Sequence, residues 1–249
     1  MKKLIVANWK MNPETIADAR SLLSRSLAAA SKNKSIDFLA AVPAPFLADA
    51  VFKKRAKYLA GQNVSWGQNG ALTGEFSAKM LYSLGVKYAI VGHSERREYF
   101  FENEEIIAKK IRSCFEAGIR PILCLGESTA IRRKGLDLVK IYLKDQLRQI
   151  IAGIEHSFIP KIIFVYEPVW AVGAEEPDDP ESSAELISHM KSTLNEFFGV
   201  PKSKVLYGGS VDSSNIREIL AKKPVDGALV GRASIDPAEL TKLVKNAKI

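Results

Sequence analysis

The chain has 249 residues, of which 47% are hydrophobic and 26% are charged, proportions typical of a soluble globular protein with a substantial core. Lysine and arginine (36 residues) outnumber aspartate and glutamate (28), which gives a net charge of +8, but the basic residues stand in short scattered clusters without interleaved aromatic residues. The composition therefore indicates solvated helix faces rather than a nucleic-acid-binding surface, and the positive balance favours a small anionic substrate.

The first residues are basic, and the apolar run at residues 4–7 is interrupted at once by Asn8 and Lys10. That run is too short for a signal peptide or a membrane span, so we expect no association with a membrane. Cys114 and Cys124 form no CxxC pair and no metal-like cluster with the three histidines, a pattern typical of free thiols in a reducing compartment. These features predict a cytoplasmic protein.

Short apolar segments recur along the whole chain, and longer segments with helical periodicity separate them. The apolar segments cover residues 3–9, 36–43, 56–63, 86–93, 120–127, 161–168, 203–210 and 225–232. They lack strict alternation of apolar and polar residues, as expected for strands buried on both faces of a parallel sheet. Eight strand–helix alternations without a linker predict one (β/α)8 barrel domain over residues 1–249, and an open, doubly wound sheet of eight strands is the alternative.

The intervening segments carry helix signals. One helical face is predicted by apolar residues that advance by three or four positions, namely Leu136, Val139, Leu143, Leu147, Ile150 and Ile154. Asp179-Pro180 and Asp236-Pro237 are typical of a capping residue followed by proline at the first helical position. We therefore expect helices to begin at residues 180 and 237.

Polar residues stand at or near the carboxyl ends of the predicted strands: Asn8, His93, Glu127, Glu167, Ser210 and Arg232. In a barrel those ends share one face, where the loops that follow the strands build a site. A single polar strand end can be merely the start of a loop, but several together, with Lys10 beside them, favour one pocket.

The chemistry of such a pocket can be anticipated from three features. Glu167 ends a buried strand near Trp170, so we expect desolvation to raise its pKa toward that of a useful base. His93 precedes a helix start, where the helix dipole favours a neutral imidazole that donates a hydrogen bond. The glycines of residues 208–209 and Gly231 follow the last two strands, where barrels commonly bind phosphate. Together these features indicate proton abstraction beside a carbonyl of a small phosphorylated substrate.

Motifs along the entire chain resemble those of the triosephosphate isomerase family, in the family's order. They are ANWKMN at 7–12, GQN at 61–63, TGE at 73–75, VGHSERR at 91–97, CLGE at 124–127, YEPVWAVG at 166–173, YGGSV at 207–211 and DGALVGRAS at 226–234. The combination of NWK, GHSERR and YEPVWA is very specific. The resemblance implies the TIM-barrel fold and an aldose–ketose isomerase.

The resemblance also implies roles for individual residues. Glu167 would be the base that moves a proton between the carbons of dihydroxyacetone phosphate and glyceraldehyde 3-phosphate. Neutral His93 would act as the electrophile at the substrate oxygens, Lys10 would supply positive charge, and Asn8 would help to place the substrate. No metal or organic cofactor is implied.

The same resemblance assigns the phosphate contacts to Gly173, Ser210, Gly231 and the position of Arg232. The segment after Glu167 resembles a lid that closes over the substrate and excludes water from the enediolate.

A homodimer is also implied, because residues 67–75 match the family's interdigitating loop. Thr73 would reach the partner's site, and Glu75 would pair with Arg96 across the interface.

Two positions depart from the family's usual pattern. Residues 173–178 read GAEEPD, where the family usually continues Gly-Thr-Gly-Lys, and residues 231–232 read GR, where it usually carries Gly-Gly. These changes bear on lid motion and phosphate affinity rather than on the class of reaction.

Two other functions are weighed against this one. Another phosphate-binding barrel isomerase would not carry YEPVW and GHSERR together. A non-catalytic binding barrel is disfavoured because Lys10, His93 and Glu167 are all present.

Overall fold

A computed structural model describes residues 2–171 and 178–248. The predicted phosphate contact Gly173 and the predicted lid residues Glu175, Glu176 and Pro177 lie outside the described residues.

Eight parallel strands close into a barrel in chain order within the described residues, and β8 pairs with β1. The strands β1 to β8 are Lys3–Asn8, Ile36–Val42, Leu59–Gly61, Tyr88–Val91, Arg120–Leu125, Ile163–Tyr166, Lys204–Tyr207 and Gly227–Val230. The predicted (β/α)8 barrel is confirmed, and the open-sheet alternative is wrong. Each strand falls within its predicted segment, although the third segment begins with a 3-10 turn at Ala56–Tyr58, in which Lys57 and Tyr58 are exposed.

The helices lie in the connections between the strands. The helices α1 to α11 are Ile16–Ser31, Ala44–Leu47, Ala50–Lys53, Ala78–Ser83, Ser94–Tyr99, Glu104–Glu116, Thr129–Arg132, Leu136–Ile151, Pro180–Phe198, Ile216–Ala221 and Pro237–Asn246. The two predicted helix starts are confirmed, since Asp179 accepts the Ser182 N–H and Asp236 accepts the N–H groups of Ala238 and Glu239. None of these helices in the described ranges is long and apolar enough to cross a membrane.

Two apolar layers explain the lack of alternation in the strands. Side chains on the outer face of the barrel pack against apolar side chains of the helices. Those of α8 include Val139, Leu143 and Leu147. The inner face fills the barrel with Leu4, Val6, Leu39, Ala41, Ala60, Ile90, Ile122, Cys124, Ile163, Val165, Leu206 and Leu229. Because the interior is packed, polar groups gather where the strands end.

Candidate active site

A cavity of about 480 Å³ opens at the carboxyl ends of the strands. Its lining contains every described residue that the sequence predicts to contact substrate: Asn8, Lys10, His93, Glu167, Ser210, Gly231 and Arg232. The fold therefore brings these residues together from β1, β4, β6, β7 and β8.

Glu167 lies buried immediately after β6. Its N–H donates to the Leu125 carbonyl at 2.7 Å, which continues the β5–β6 ladder by one residue. One carboxylate oxygen, Oε2, accepts the Ser94 N–H at 2.9 Å, and Oε1 lies 3.0 Å from His93 Nε2. The carboxylate is therefore held at the amino end of α5, beside the imidazole.

His93 caps α5, and this position determines which ring nitrogen carries its proton. The Glu95 N–H lies 3.3 Å from Nδ1 and donates to it. Because Nδ1 accepts this hydrogen bond, Nε2 is the nitrogen that donates to Glu167.

The pKa directions of this pair differ from those that the sequence predicts. Burial acts to raise the pKa of Glu167, but His93, the Ser94 N–H and Lys10 outweigh it, so the pKa is lowered. The prediction of a raised value is wrong because it considered desolvation alone. Burial acts to lower the pKa of His93, but the adjacent Glu167 carboxylate, with Glu95, raises it overall. The contact with Glu167 thus outweighs the lowering of the His93 pKa that was expected from the amino end of the helix.

Lys10 enters the pocket from a left-handed backbone conformation, with φ of 53°. Its N–H donates to Asn8 Oδ1 at 3.1 Å, and its carbonyl accepts the Gln62 amide at 2.8 Å. These two bonds hold a backbone that a residue with a side chain seldom adopts. The ammonium lies 2.5 Å from Glu95 Oε1 and 3.7 Å from the point where a Cβ on Gly231 would stand. Lys10 therefore lies between the carboxylates and the glycine turn after β8.

The turn after β7 requires glycine for steric reasons. A Cβ on Gly209 would lie 2.2 Å from the Tyr207 hydroxyl, and a Cβ on Gly208 would lie 2.7 Å from a methyl carbon of Val165. The next residue, Ser210, is held by the Asn215 amide, which donates to its carbonyl at 3.1 Å. The two glycines, which line the cavity, therefore let the turn pack closely against the side chains of Val165 and Tyr207.

Three supporting residues were not assigned a role from the sequence. Glu127 is fully buried and accepts hydrogen bonds from the Tyr166 hydroxyl at 3.1 Å and the Trp170 indole at 3.0 Å, and burial raises its pKa. Glu95 pairs with Lys10, and the buried Cys124 adjoins the Glu167 carboxylate. The polar strand end at Glu127 was visible in the sequence, whereas the other two contacts depend on distant segments.

The predicted interface residues lie outside the cavity. Thr73 and Glu75 are exposed. Arg96 contacts Glu102 of its own chain and stacks on Phe100, with 4.5 Å between the guanidinium carbon and the ring centroid. The predicted pairing of Glu75 with Arg96 concerns a second subunit, so it stays a prediction. Across residues 2–171 and 178–248, no group of three or more metal-ligating side chains is close enough to hold a metal ion.

Comparison with known proteins gives the same family over nearly the whole chain. The family profile described as triosephosphate isomerase matches residues 3–247. The chain is 38% identical over 248 residues to the triosephosphate isomerase of Aquifex aeolicus, covering 98% of this chain and 99% of the relative. It is 37% identical over 250 residues to that of Dictyoglomus thermophilum (98% and 99% covered) and 38% over 255 residues to that of Rubrobacter xylanophilus (99% and 98%).

Proposed function

The chain belongs to the triosephosphate isomerase family, and from this membership we propose that it interconverts dihydroxyacetone phosphate and D-glyceraldehyde 3-phosphate through an enediolate. The observation that carries the proposal is the 3.0 Å contact between Glu167 and His93 in a cavity that Lys10 also lines. A carboxylate, an imidazole N–H and an ammonium in one cavity are the groups that proton transfer beside a carbonyl requires.

Glu167 acts as the base. Its lowered pKa keeps the carboxylate ionised at neutral pH, ready to take a proton from one substrate carbon and return it to the neighbouring carbon. For this step the carboxylate must leave the Ser94 N–H and approach the substrate. This movement also removes from His93 the negative charge that raises its pKa.

His93 and Lys10 stabilise the negative charge that develops on the substrate oxygens. Neutral His93 donates through Nε2, because Nδ1 is occupied by the Glu95 N–H. Lys10 supplies a positive charge from a backbone fixed by Asn8 and Gln62, and such fixed charges need little reorganisation during the reaction. Asn8 also helps to place the substrate.

The phosphate binds at the wall formed by the glycine turns. Ser210, Gly231 and the backbone of Arg232 line this wall, and we assign Gly173 to the same role.

We also propose that two chains form a homodimer in which Thr73, Glu75 and Arg96 lie at the interface. Large apolar side chains are exposed on the segments that would meet: Met11, Trp66, Met80, Tyr82, Tyr99, Phe100 and Phe101. Large exposed apolar surface on a water-soluble protein commonly marks a protein interface.

Residues 1–249 are proposed to act as one barrel domain in the cytoplasm, in glycolysis and gluconeogenesis. The buried free thiols Cys114 and Cys124 support a reducing compartment. No nucleic acid, membrane or cofactor is needed for this function.

A coupled assay tests the proposal. Purified protein is expected to convert glyceraldehyde 3-phosphate with Michaelis–Menten kinetics, and inorganic phosphate is expected to inhibit competitively. Turnover of a larger phosphorylated aldose in preference to the triose would favour a different barrel isomerase. Phosphate binding without turnover of any sugar phosphate would favour a binding barrel.

A further inference from the structure

Arg132, the last residue of α7, connects three parts of the chain that surround the end of β6. Its Nη2 donates to Asp178 Oδ1 and to Ser182 Oγ, both at 2.6 Å. Its guanidinium carbon lies 5.1 Å from the centroid of the Trp170 ring, and its Nη1 lies 3.8 Å from Glu127 Oε1. One side chain therefore bridges the residues just after β5, after β6 and before α9.

This network reaches the backbone of the proposed base. Glu127 accepts the Trp170 indole N–H through its side chain and the Val169 N–H through its carbonyl at 3.1 Å. Val169 and Trp170 are two and three residues beyond Glu167. Pro168, which directly follows Glu167, fixes one backbone angle of the connection. A shift of the Trp170 ring would therefore be passed directly to Glu167.

The far end of the network is equally well held. Asp178 is buried, accepts the Ser183 hydroxyl at 3.0 Å, and donates its own N–H to the Tyr207 hydroxyl at 3.3 Å. Burial raises the pKa of Asp178, and Arg132 opposes this effect. Tyr207 ends β7 and leads into the glycine turn of the phosphate wall. The network thus extends from β5 to β7 behind the cavity.

Stability alone is a poor explanation for this arrangement. Arg132 Nη1 and Glu127 Oε2 are buried without hydrogen-bond partners among the described residues, and such groups cost free energy. Apolar residues of similar size often stabilise a core as well as a buried ion pair does, or better. A network that is only partly satisfied points to a role in geometry.

We propose that Arg132 is a positioning residue for the proton transfer, acting with Asp178 to fix Trp170 and, through it, the backbone of Glu167. The inference rests on the proposed isomerase function. Arg132 is not among the residues that line the cavity, so its loss is expected to lower kcat rather than substrate affinity. Misplacement of a reacting group by about 1 Å can cost on the order of 100-fold, and a partial shift through this network is expected to cost on the order of 10-fold.

The test compares Arg132→Met, Arg132→Lys and Asp178→Asn with the wild-type protein. Arg132→Met keeps the apolar stem, and Asp178→Asn keeps the shape of the side chain, while each removes the ion pair. Both are expected to lower kcat on the order of 10-fold, while KM for glyceraldehyde 3-phosphate and inhibition by inorganic phosphate change less than about twofold. Arg132→Lys is expected to restore part of kcat, because an ammonium can reach Asp178 without the planar fork.

Arg133→Ala is the matched control, because Arg133 is the next residue and is exposed. Circular dichroism and thermal melts establish the folded fraction, to which kcat is normalised. If Arg132→Met does not fold, Asp178→Asn decides the matter by the same criteria.

The double variant separates a shared role from two independent ones. If Arg132 and Asp178 act as one unit, combining Arg132→Met with Asp178→Asn is expected to cost no more than the larger single effect. If the double variant instead loses kcat by the product of the two single losses, the proposal is overturned.

The outcomes also distinguish this inference from the proposed function. If wild-type protein and Arg133→Ala convert the triose phosphate and folded Arg132→Met matches them in kcat, the positioning role is refuted and the isomerase function stands. If the loss appears in KM instead, Arg132 acts on binding and the inference is wrong. If wild-type protein converts no triose phosphate, the function and the inference fall together.

Discussion

Replacing Gly126 with alanine tests whether the backbone of Glu167 is held as closely as the structure indicates. A Cβ at position 126 would lie 1.8 Å from the Glu167 carbonyl oxygen and 2.5 Å from its carbonyl carbon. Real Cβ contacts are essentially never shorter than 3.0 Å, so the two backbones must separate by more than 1 Å. A displacement of that size at a catalytic group costs on the order of 100-fold in rate. Overpacking of this kind also lowers the free energy of unfolding by about 1–3 kcal/mol.

The assay is steady-state conversion of glyceraldehyde 3-phosphate by Gly126→Ala, with circular dichroism to establish that the protein is folded. Gly153→Ala is the control, since Gly153 is exposed and the atom its Cβ would meet is the tip of the Arg112 side chain, which can move aside. We expect kcat to fall on the order of 100-fold for Gly126→Ala and to stay near the wild-type value for the control. A folded Gly126→Ala protein with wild-type kcat would show that the position of Glu167 is not fixed by this contact.

Three further predictions concern assembly, the thiols and the departures from the family's pattern. Replacing residues 68–74 with a short turn is expected to give monomers of reduced activity in analytical ultracentrifugation, and fully active monomers would refute a role for subunit contact. Iodoacetamide at pH 8 is expected to leave the folded protein unmodified, as measured by mass spectrometry. Burial raises the pKa of Cys114 to about 12 and raises that of Cys124 as well, so both thiols stay protonated. Fast alkylation without denaturant would contradict this prediction. At low salt, Arg232→Gly is expected to weaken binding of a phosphate-bearing enediolate analogue, and to weaken it more in the wild-type protein than in the Glu175→Gly variant. If the two effects on binding free energy instead add within about 0.5 kcal/mol, the two positions are independent.

The barrel could be predicted because its signals are local and repeated. Each strand is a short apolar run, and helix starts such as Asp179-Pro180 are read from adjacent residues. The clustering of polar residues at one face follows from parallel topology alone, once the strands are placed in order. No single residue had to be located precisely for this conclusion.

The electrostatics of the site could not be predicted in the same way. The Ser94 N–H, which helps to lower the pKa of Glu167, lies 73 residues away in the chain. The pairing of Lys10 with Glu95 spans 85 residues. Desolvation of Glu167 could be inferred from its own strand, but the charges that outweigh desolvation become visible only in three dimensions.

Close backbone contacts could not be predicted from the sequence either. The left-handed conformation of Lys10 is unusual for a residue with a side chain and depends on bonds to Asn8 and Gln62. The need for glycine at position 126 comes from the neighbouring strand end at Glu167, not from a turn of its own. Both features become evident only when the barrel is closed.

Deuterium incorporation from D2O tests most directly the claim that Glu167 carries a proton between two substrate carbons. Wild-type protein acting on glyceraldehyde 3-phosphate in D2O is expected to yield dihydroxyacetone phosphate with deuterium at C1, detected by mass spectrometry. The proton taken by the carboxylate can exchange with solvent before delivery. Glu167→Asp, which withdraws the carboxylate by about one methylene, is expected to form this product on the order of 100-fold more slowly. Protium retained at C1 in part of the product would mean that the carboxylate returned the proton before it exchanged, whereas an undiminished rate in folded Glu167→Asp would contradict the account.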